Sequence, residues 1–250
     1  MPDVGLILST SAHRPWPLPR GPWMMFQSWQ KLLFVHWRVD PASLRHLVPA
    51  PLELDLHDGD AWIGVTPFLL TGLRVRMTPP MPWASRFPEL NLRTYVRYAG
   101  RAGIFFFSLD AASRTAVAGA RSFFRLPYRR ARMGIETSEG WTRFASRRPG
   151  GVARFRAQYR PTGSVLPPAP GSREAFLTER YALFTVLRNG KVLRTDVHHA
   201  PWPLQPAEGH VDAGALALAE SVPLPSGATP LLHYSDRQDT VIWPPVHGDR

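Results

Sequence analysis

FPELNLRTYVRYAGRAGIFFFSLDAASRTAVAGARSFFRLPYRRARM, from Phe87 to Met133, holds two period-2 runs around a tight turn, then a helical run and a Pro-Tyr-Arg-Arg exit. Glu89, Asn91, Arg93 and Tyr95 alternate with Leu90, Leu92, Thr94 and Val96, the two-residue period of a strand. Gly100 to Gly103 turns the chain, and the aromatic run that follows ends in Ser108 to Asp110. Ala112 to Phe124 has helical composition, and Pro127 closes it off. Strands joined by so short a turn are antiparallel neighbours, because a parallel pair needs a long crossover.

Outward from this stretch the same period recurs. In Lys31 to Val39, Leu33, Val35, Trp37 and Val39 share one face while Phe34, His36 and Arg38 share the other. Asp40 before Pro41 reads as a helix cap with proline in the first turn, and Pro49 ends the stripe of Leu44, Leu47 and Val48. Leu52 to Leu56 is expected to pair with Ala61 to Leu70 across His57-Asp58-Gly59-Asp60. Thr78 to Pro88 is a proline-rich loop that could form a rim or lid. Short strands are expected near Ala131 to Thr137, Trp141 to Arg147 and Val152 to Tyr159, and Ser172 caps a helix through Tyr181. Leu183 to Arg188 and Lys191 to His199 form a hairpin about Asn189-Gly190. A connector from Pro201 to Pro206, a short helix from Asp212 to Glu220 and strands near Leu231 to Tyr234 and Asp239 to Trp243 complete the chain. The order predicts an α+β fold on a curved or closed antiparallel sheet with a few short helices. Residues 1–22 are expected to be a loosely ordered lead-in, and residues 23–250 one domain.

Hydrophobic residues make up 44% of the 250 and aromatics 11%, enough for a packed core, and no apolar run reaches the roughly 18 residues of a membrane span. Val4 to Leu8 lacks the flanks of a secretory signal, and the chain has no cysteine, so a cytoplasmic protein with no membrane partner is expected. The net charge of +11 is concentrated: Arg121 to Arg160 holds eleven arginines against Glu136 and Glu139. Lys31 and Lys191 are the only lysines, which leaves two addresses for chemistry that needs a neutral amine. No glycine-rich phosphate loop follows a strand, and no cofactor is expected.

Four stretches carry a resemblance: LLFVHWRVDPASLRHLVPAPLELD with DGDAWIGVTPF, FPELNLRTYV with FFFSLDA, FLTERYALF, and VHHAPWPLQPAE. Together they resemble the YqjF-like family of uncharacterised bacterial proteins, within the acetoacetate decarboxylase-like superfamily, from about Trp29 to Trp243. The resemblance implies a cone-shaped, mostly antiparallel β-barrel with peripheral helices and a small-molecule pocket. Acetoacetate decarboxylases attack a keto acid with a lysine just after an aromatic-Pro pair. Here the matching position reads Leu126-Pro127-Tyr128-Arg129, and neither a phenol nor a permanently charged guanidinium can form a Schiff base.

If Glu89 and Arg93 face a barrel interior, they lie about 13 Å apart at ~3.3 Å per residue and can hold opposite ends of a small polar ligand. If their face is the solvated outer one, Leu90, Leu92 and Val96 make the core instead. Asp110 pairs with Arg121 or caps the following helix, either as structure or as part of a site. Tyr128 occupies the position of the family's nucleophile, where Arg125, Arg129 and Arg130 would favour its ionised form. Glu179 and Arg180 point to different sides of a helix, as His198 and His199 do on a strand; Glu179, His198 and His36 are taken as ligand-binding candidates. The histidine spacings match no metal motif, so no metal is expected.

The expected function is therefore a pocket for a small organic acid or carbonyl compound. If it is catalytic, Glu89 acts as base, Tyr128 as proton donor, and Arg93 or Arg121 as anion clamp, without a Schiff base. A non-catalytic binding or sensing protein is the alternative. Nucleic-acid binding through the basic face from Arg143 to Arg160 is a further one, weaker because no nucleic-acid motif accompanies it. A homo-oligomer stays open.

Overall fold

Strand alternation determines which residues can share a surface, and two long strands show it first. In the computed structural model, which describes residues 3–80, 85–225 and 227–248, β1 (Met25–Val39) sends Leu33, Val35, Trp37 and Val39 to one face and Phe34 and His36 to the other. Lys31 breaks the ladder: its φ of 52° is left-handed, the register shifts there, and its amine leaves the sheet to meet Asp236 at 2.8 Å. Lys31 therefore does not continue the face of Leu33 and Val35.

The remaining elements follow in order. The N-terminal half contains α1 (Val4–Ser9), α2 (Pro41–Arg45), β2 (Glu53–Leu54), β3 (Ala61–Val75), β4 (Phe87–Tyr98), β5 (Arg101–Ala111) and α3 (Arg114–Phe123). Next come β6 (Tyr128–Arg130), β7 (Arg132–Ser138), β8 (Trp141–Arg147), β9 (Arg154–Pro161) and α4 (Arg173–Thr178). The last are β10 (Ala182–Val186), β11 (Val192–His199), β12 (Gln205–Asp212), α5 (Gly214–Ala219), β13 (Leu231–Ile242) and β14 (Val246–His247). Asp40 caps α2 by accepting the Ala42 amide at 2.9 Å, and Ser172 caps α4 by accepting that of Ala175 at 3.1 Å. The β4–β5 turn puts Ala99 and Gly100 at φ 49° and 76°, the paired left-handed geometry of a two-residue hairpin.

The result is a mixed, sheet-rich α+β fold with few, short helices. One run pairs β11-β10-β5-β4-β3-β1-β13, and β13 also pairs with β11 through Ile242–Val197 to Thr240–His199. Most pairings are antiparallel, but β5 runs parallel to both β10 and β6. A second layer, β12-β9-β8-β7, continues from β13. Its Phe144, Phe155 and Ala157 cluster with Leu33, Val35, Leu90 and Leu92 of the first layer. β4 is therefore buried on both faces, like a central strand rather than a half-solvated one.

Several expected elements differ. β2 pairs with β4 rather than β3, through Glu53–Arg97 and Leu54–Val96, although the chain does turn at the expected His57–Asp60 bridge. The final two strands are one, β13, and the segment after Pro201 becomes β12 because it completes the second layer beside β9. Residues 3–22, expected to be loose, are anchored: Ile7 is buried with Phe26, Val241 and Trp243, and Arg14 donates to the Val197 carbonyl at 2.8 Å. Within the proline-rich loop, residues 81–84 lie outside the described residues. Among the described residues no helix is long and apolar enough to cross a membrane.

Gly103 marks the β5–β10 seam, where an added Cβ would meet the Ala182 carbonyl oxygen at 2.6 Å and the Phe184 ring at 2.6 Å. Gly103→Ala should cost about 1–3 kcal/mol in a urea titration, as overpacking does. Gly134→Ala, on exposed β7 with open space at its Cβ, should be near neutral. Equal stabilities of the two variants would contradict the parallel seam.

Candidate functional site

The face of β4 opposite Leu90 and Leu92 looks into a cavity of about 280 Å³ within the first sheet. Glu89, Asn91 and Arg93 all line it, so the polar face is interior, while Leu90 and Leu92 make the core between the layers. The walls are otherwise mostly apolar and aromatic, with Phe34, Phe68, Phe106 and Trp202 among them. Tyr128 enters from β6, whose parallel pairing with Leu109–Ala111 of β5 sets it beside β4. Its hydroxyl donates to Glu89, 3.2 Å from Oε1 and 3.1 Å from Oε2.

The cavity sets the proton affinities of this pair. Burial pushes the Glu89 carboxyl up to about 8; the Tyr128 hydrogen bond pulls the other way without offsetting it. Tyr128 itself is held well above a phenol's usual range, by burial and by the Glu89 charge. The expected activation by neighbouring arginines does not occur, because Arg125, Arg129 and Arg130 are exposed while the hydroxyl points inward. Of the pair, Glu89 is the group whose proton affinity is brought near neutral pH, and Tyr128 hydrogen-bonds both of its oxygens.

At the other end of the polar strip, Arg93 lies over the rings of Phe34 and Tyr95, its guanidinium carbon 5.3 and 5.8 Å from their centroids. Gly64 leaves the space: a Cβ there would meet Arg93 Cγ and Nε at 3.2 Å. Arg93 Nε, Asn91 Oδ1 and Thr66 Oγ1 are buried with no hydrogen-bond partner among the described residues, and all three residues line the cavity. Such groups, costly when unpaired, suit a polar ligand. Arg180 adds a second guanidinium, but Asp55 holds its Nη1 and the Phe176 carbonyl its Nε.

The other candidates divide. His36 is buried behind the strip; since Tyr95 gives its proton to the Leu177 carbonyl at 2.8 Å, His36 Nε2 must donate to Tyr95 Oη at 2.7 Å. Burial, then the Arg93 charge, hold His36 well below its usual range, so it is a neutral support for Tyr95. Asp110 faces the layer interface, bound by Arg148 Nε at 2.9 and 3.0 Å rather than by Arg121 or the α3 backbone; Arg148 also reaches Ser108 and Glu220. Arg121 is exposed and outside this cavity. Glu179 turns away to accept from Tyr181 Oη and the Trp202 amide, and its neighbour Arg180 faces in. His198 binds the Ile7 carbonyl under α1 at 2.7 Å, and His199 lines the cavity instead. Strand parity could have picked His199, because Thr195 and Val197 share its face and also line the cavity. Lys31 pairs with Asp236 outside, and Lys191 is exposed at its hairpin, so neither amine lines the cavity.

Residues 26–239 match the DUF2071 family, described as "Uncharacterized conserved protein". The chain is 48% identical over 228 residues to the uncharacterized protein YqjF of Bacillus subtilis, covering 91% of this chain and 93% of that one. Its fold is similar to an acetoacetate decarboxylase from Legionella pneumophila, with a TM-score of 0.65 at 15% identity over 98% of this chain and 95% of that one. It is also similar to the enduracididine biosynthesis enzyme MppR complexed with pyruvate, with a TM-score of 0.62 at 13% identity over 93% of each chain.

The raised Glu89 gives a sign to stability against pH. The folded chain holds this proton more tightly than the unfolded one, so the stability it contributes is complete below about 4.5 and is lost as the pH rises through about 8. Glu89→Gln removes that dependence. Wild-type Tm relative to Glu89→Gln should fall as the pH rises from about 5 to about 9, and a flat difference would contradict a buried, proton-holding Glu89.

Proposed function

The chain belongs to the DUF2071 family of uncharacterized conserved proteins, and from that premise we propose that it binds a small organic acid or carbonyl compound inside its sheet. On this reading the first-layer strands close into a cone-shaped barrel, supported by the β11–β13 pairing, and the chain works in a reducing cytoplasm, consistent with its lack of cysteine. The carrying observation is the Glu89–Tyr128 pair, buried in a mostly apolar cavity with the unpaired Asn91 and Arg93 atoms on the same strip. Arg93 takes the anionic or most polar end of the ligand; Glu89 and Tyr128 meet its carbonyl end.

The chemistry this supports is proton transfer next to a carbonyl. Glu89 as carboxylate takes a proton from the carbon beside the C=O; the C–H electron pair becomes the C=C bond and the C=O pair moves onto oxygen. Tyr128 orients the carboxyl, and Glu89 then returns the proton to another atom of the enolate, so nothing else is consumed. A Schiff-base route has no support, because Tyr128 follows Pro127 and both lysines lie outside. That same observation favours a second reading, non-catalytic binding or sensing.

A calorimetric panel of keto and hydroxy acids tests the site. Arg93→Ala should weaken the best ligand about tenfold or more, the worth of a charge-assisted hydrogen bond. If a ligand is turned over, Glu89→Gln should slow it by about 10²–10⁴, the usual share of acid–base catalysis. Unchanged affinity in both variants would overturn the site, and binding without turnover would select the second reading. Borohydride with acetoacetate should trap no adduct; a stable one at Lys31 would contradict the route.

A further inference from the structure

Tyr128 and Leu126 have a second side. Besides the inner cavity they line an outer recess of about 490 Å³ that opens beside it. Four arginines from separate elements line it: Arg121 on α3, Arg125 in the connector to β6, Arg129 on β6, and Arg188 in the β10–β11 turn. The rest of the lining is Leu126, Pro127, Tyr128, Thr185, Val186 and Leu187, with no acidic side chain. Only Arg129 meets a carboxylate among the described residues, Glu220 at 3.5 Å; Arg121, Arg125 and Arg188 meet none. Arg125 is set in place by a left-handed backbone, φ 55°, which a non-glycine residue adopts only where its surroundings enforce it.

We infer that this recess binds the phosphate or diphosphate group of a small molecule. Guanidinium groups are forked donors that match phosphate oxygens, and several repelling cations gathered in one concavity are relieved by a multiply charged anion far more than by a single carboxylate. The other arginine-rich surface among the described residues, on β7, β8 and β9, sets Arg132, Arg147 and Arg154 side by side on an exposed sheet face rather than around a recess. This assignment stands apart from the carbonyl site: it uses none of Glu89, Asn91 or Arg93. Because Tyr128 belongs to both walls, a phosphate ester in the recess would sit next to the inner cavity.

Inorganic diphosphate, titrated calorimetrically into the full chain at low salt, tests it. The wild type should bind, and Arg121→Gln with Arg188→Gln should weaken binding by about tenfold or more. The charge-matched control, Arg154→Gln with Arg156→Gln, and separately Glu89→Gln, should each bind within about twofold of wild type, since neither touches the recess. No binding by the wild type, or equal loss in the two double variants, would overturn the site, the latter by showing only a response to net charge. All four arginines are exposed, so unchanged melting temperatures will show that the double variants keep the fold. Loss of binding in Glu89→Gln would overturn the independence of the two sites without bearing on whether Glu89 handles a carbonyl ligand.

Discussion

Leu90 and Leu92 are buried against the layer that carries Phe144 and Phe155, and because side chains alternate across a strand, Glu89, Asn91 and Arg93 must occupy the opposite face. That face is walled by the rest of the first sheet. A carboxyl group there loses water whatever its own preference, and its proton affinity rises as a consequence. The cavity, the retained proton on Glu89 and the unpaired Arg93 Nε all follow from one strand being covered on both sides. Without the β7-β8-β9-β12 layer, Leu90 and Leu92 would lose the apolar side chains that cover them.

This also shows what the sequence could and could not disclose. The strand at Glu89, the caps at Asp40 and Ser172, and the Asn189 hairpin are local, set by turn chemistry and period-2 alternation, and they were legible; the β4–β5 hairpin was too, but its turn is Ala99-Gly100 rather than Gly100 to Gly103. Which face of β4 lay inside was not, since alternation gives two faces without saying what covers each. The partners of Asp110 and Glu179 were illegible for a related reason: Arg148 is 38 residues from Asp110, and Trp202 is 23 from Glu179, across turns whose geometry no local pattern specifies. Adjacent pairs were the hardest. In Glu179-Arg180 and His198-His199 one member faces the cavity and the other the packing behind it, and only the parity of neighbours such as Thr195 and Val197 separates them.

The residue after Pro127 is a phenol rather than an amine. Its proton is held more firmly than usual, by burial and by the Glu89 charge. Tyr128 cannot supply an amine, but it gives Glu89 two contacts and so fixes the carboxyl's orientation.

The most direct test is the titration of Glu89 itself, followed through the carbon-13 resonance of its labelled carboxyl, with Glu89→Gln identifying the signal. The account predicts a midpoint near 8, shifted by Tyr128→Phe because that change removes its hydrogen-bond donor. A midpoint near the ordinary 4.5, unaffected by Tyr128→Phe, would mean that the carboxyl is solvated and that the interior site does not exist.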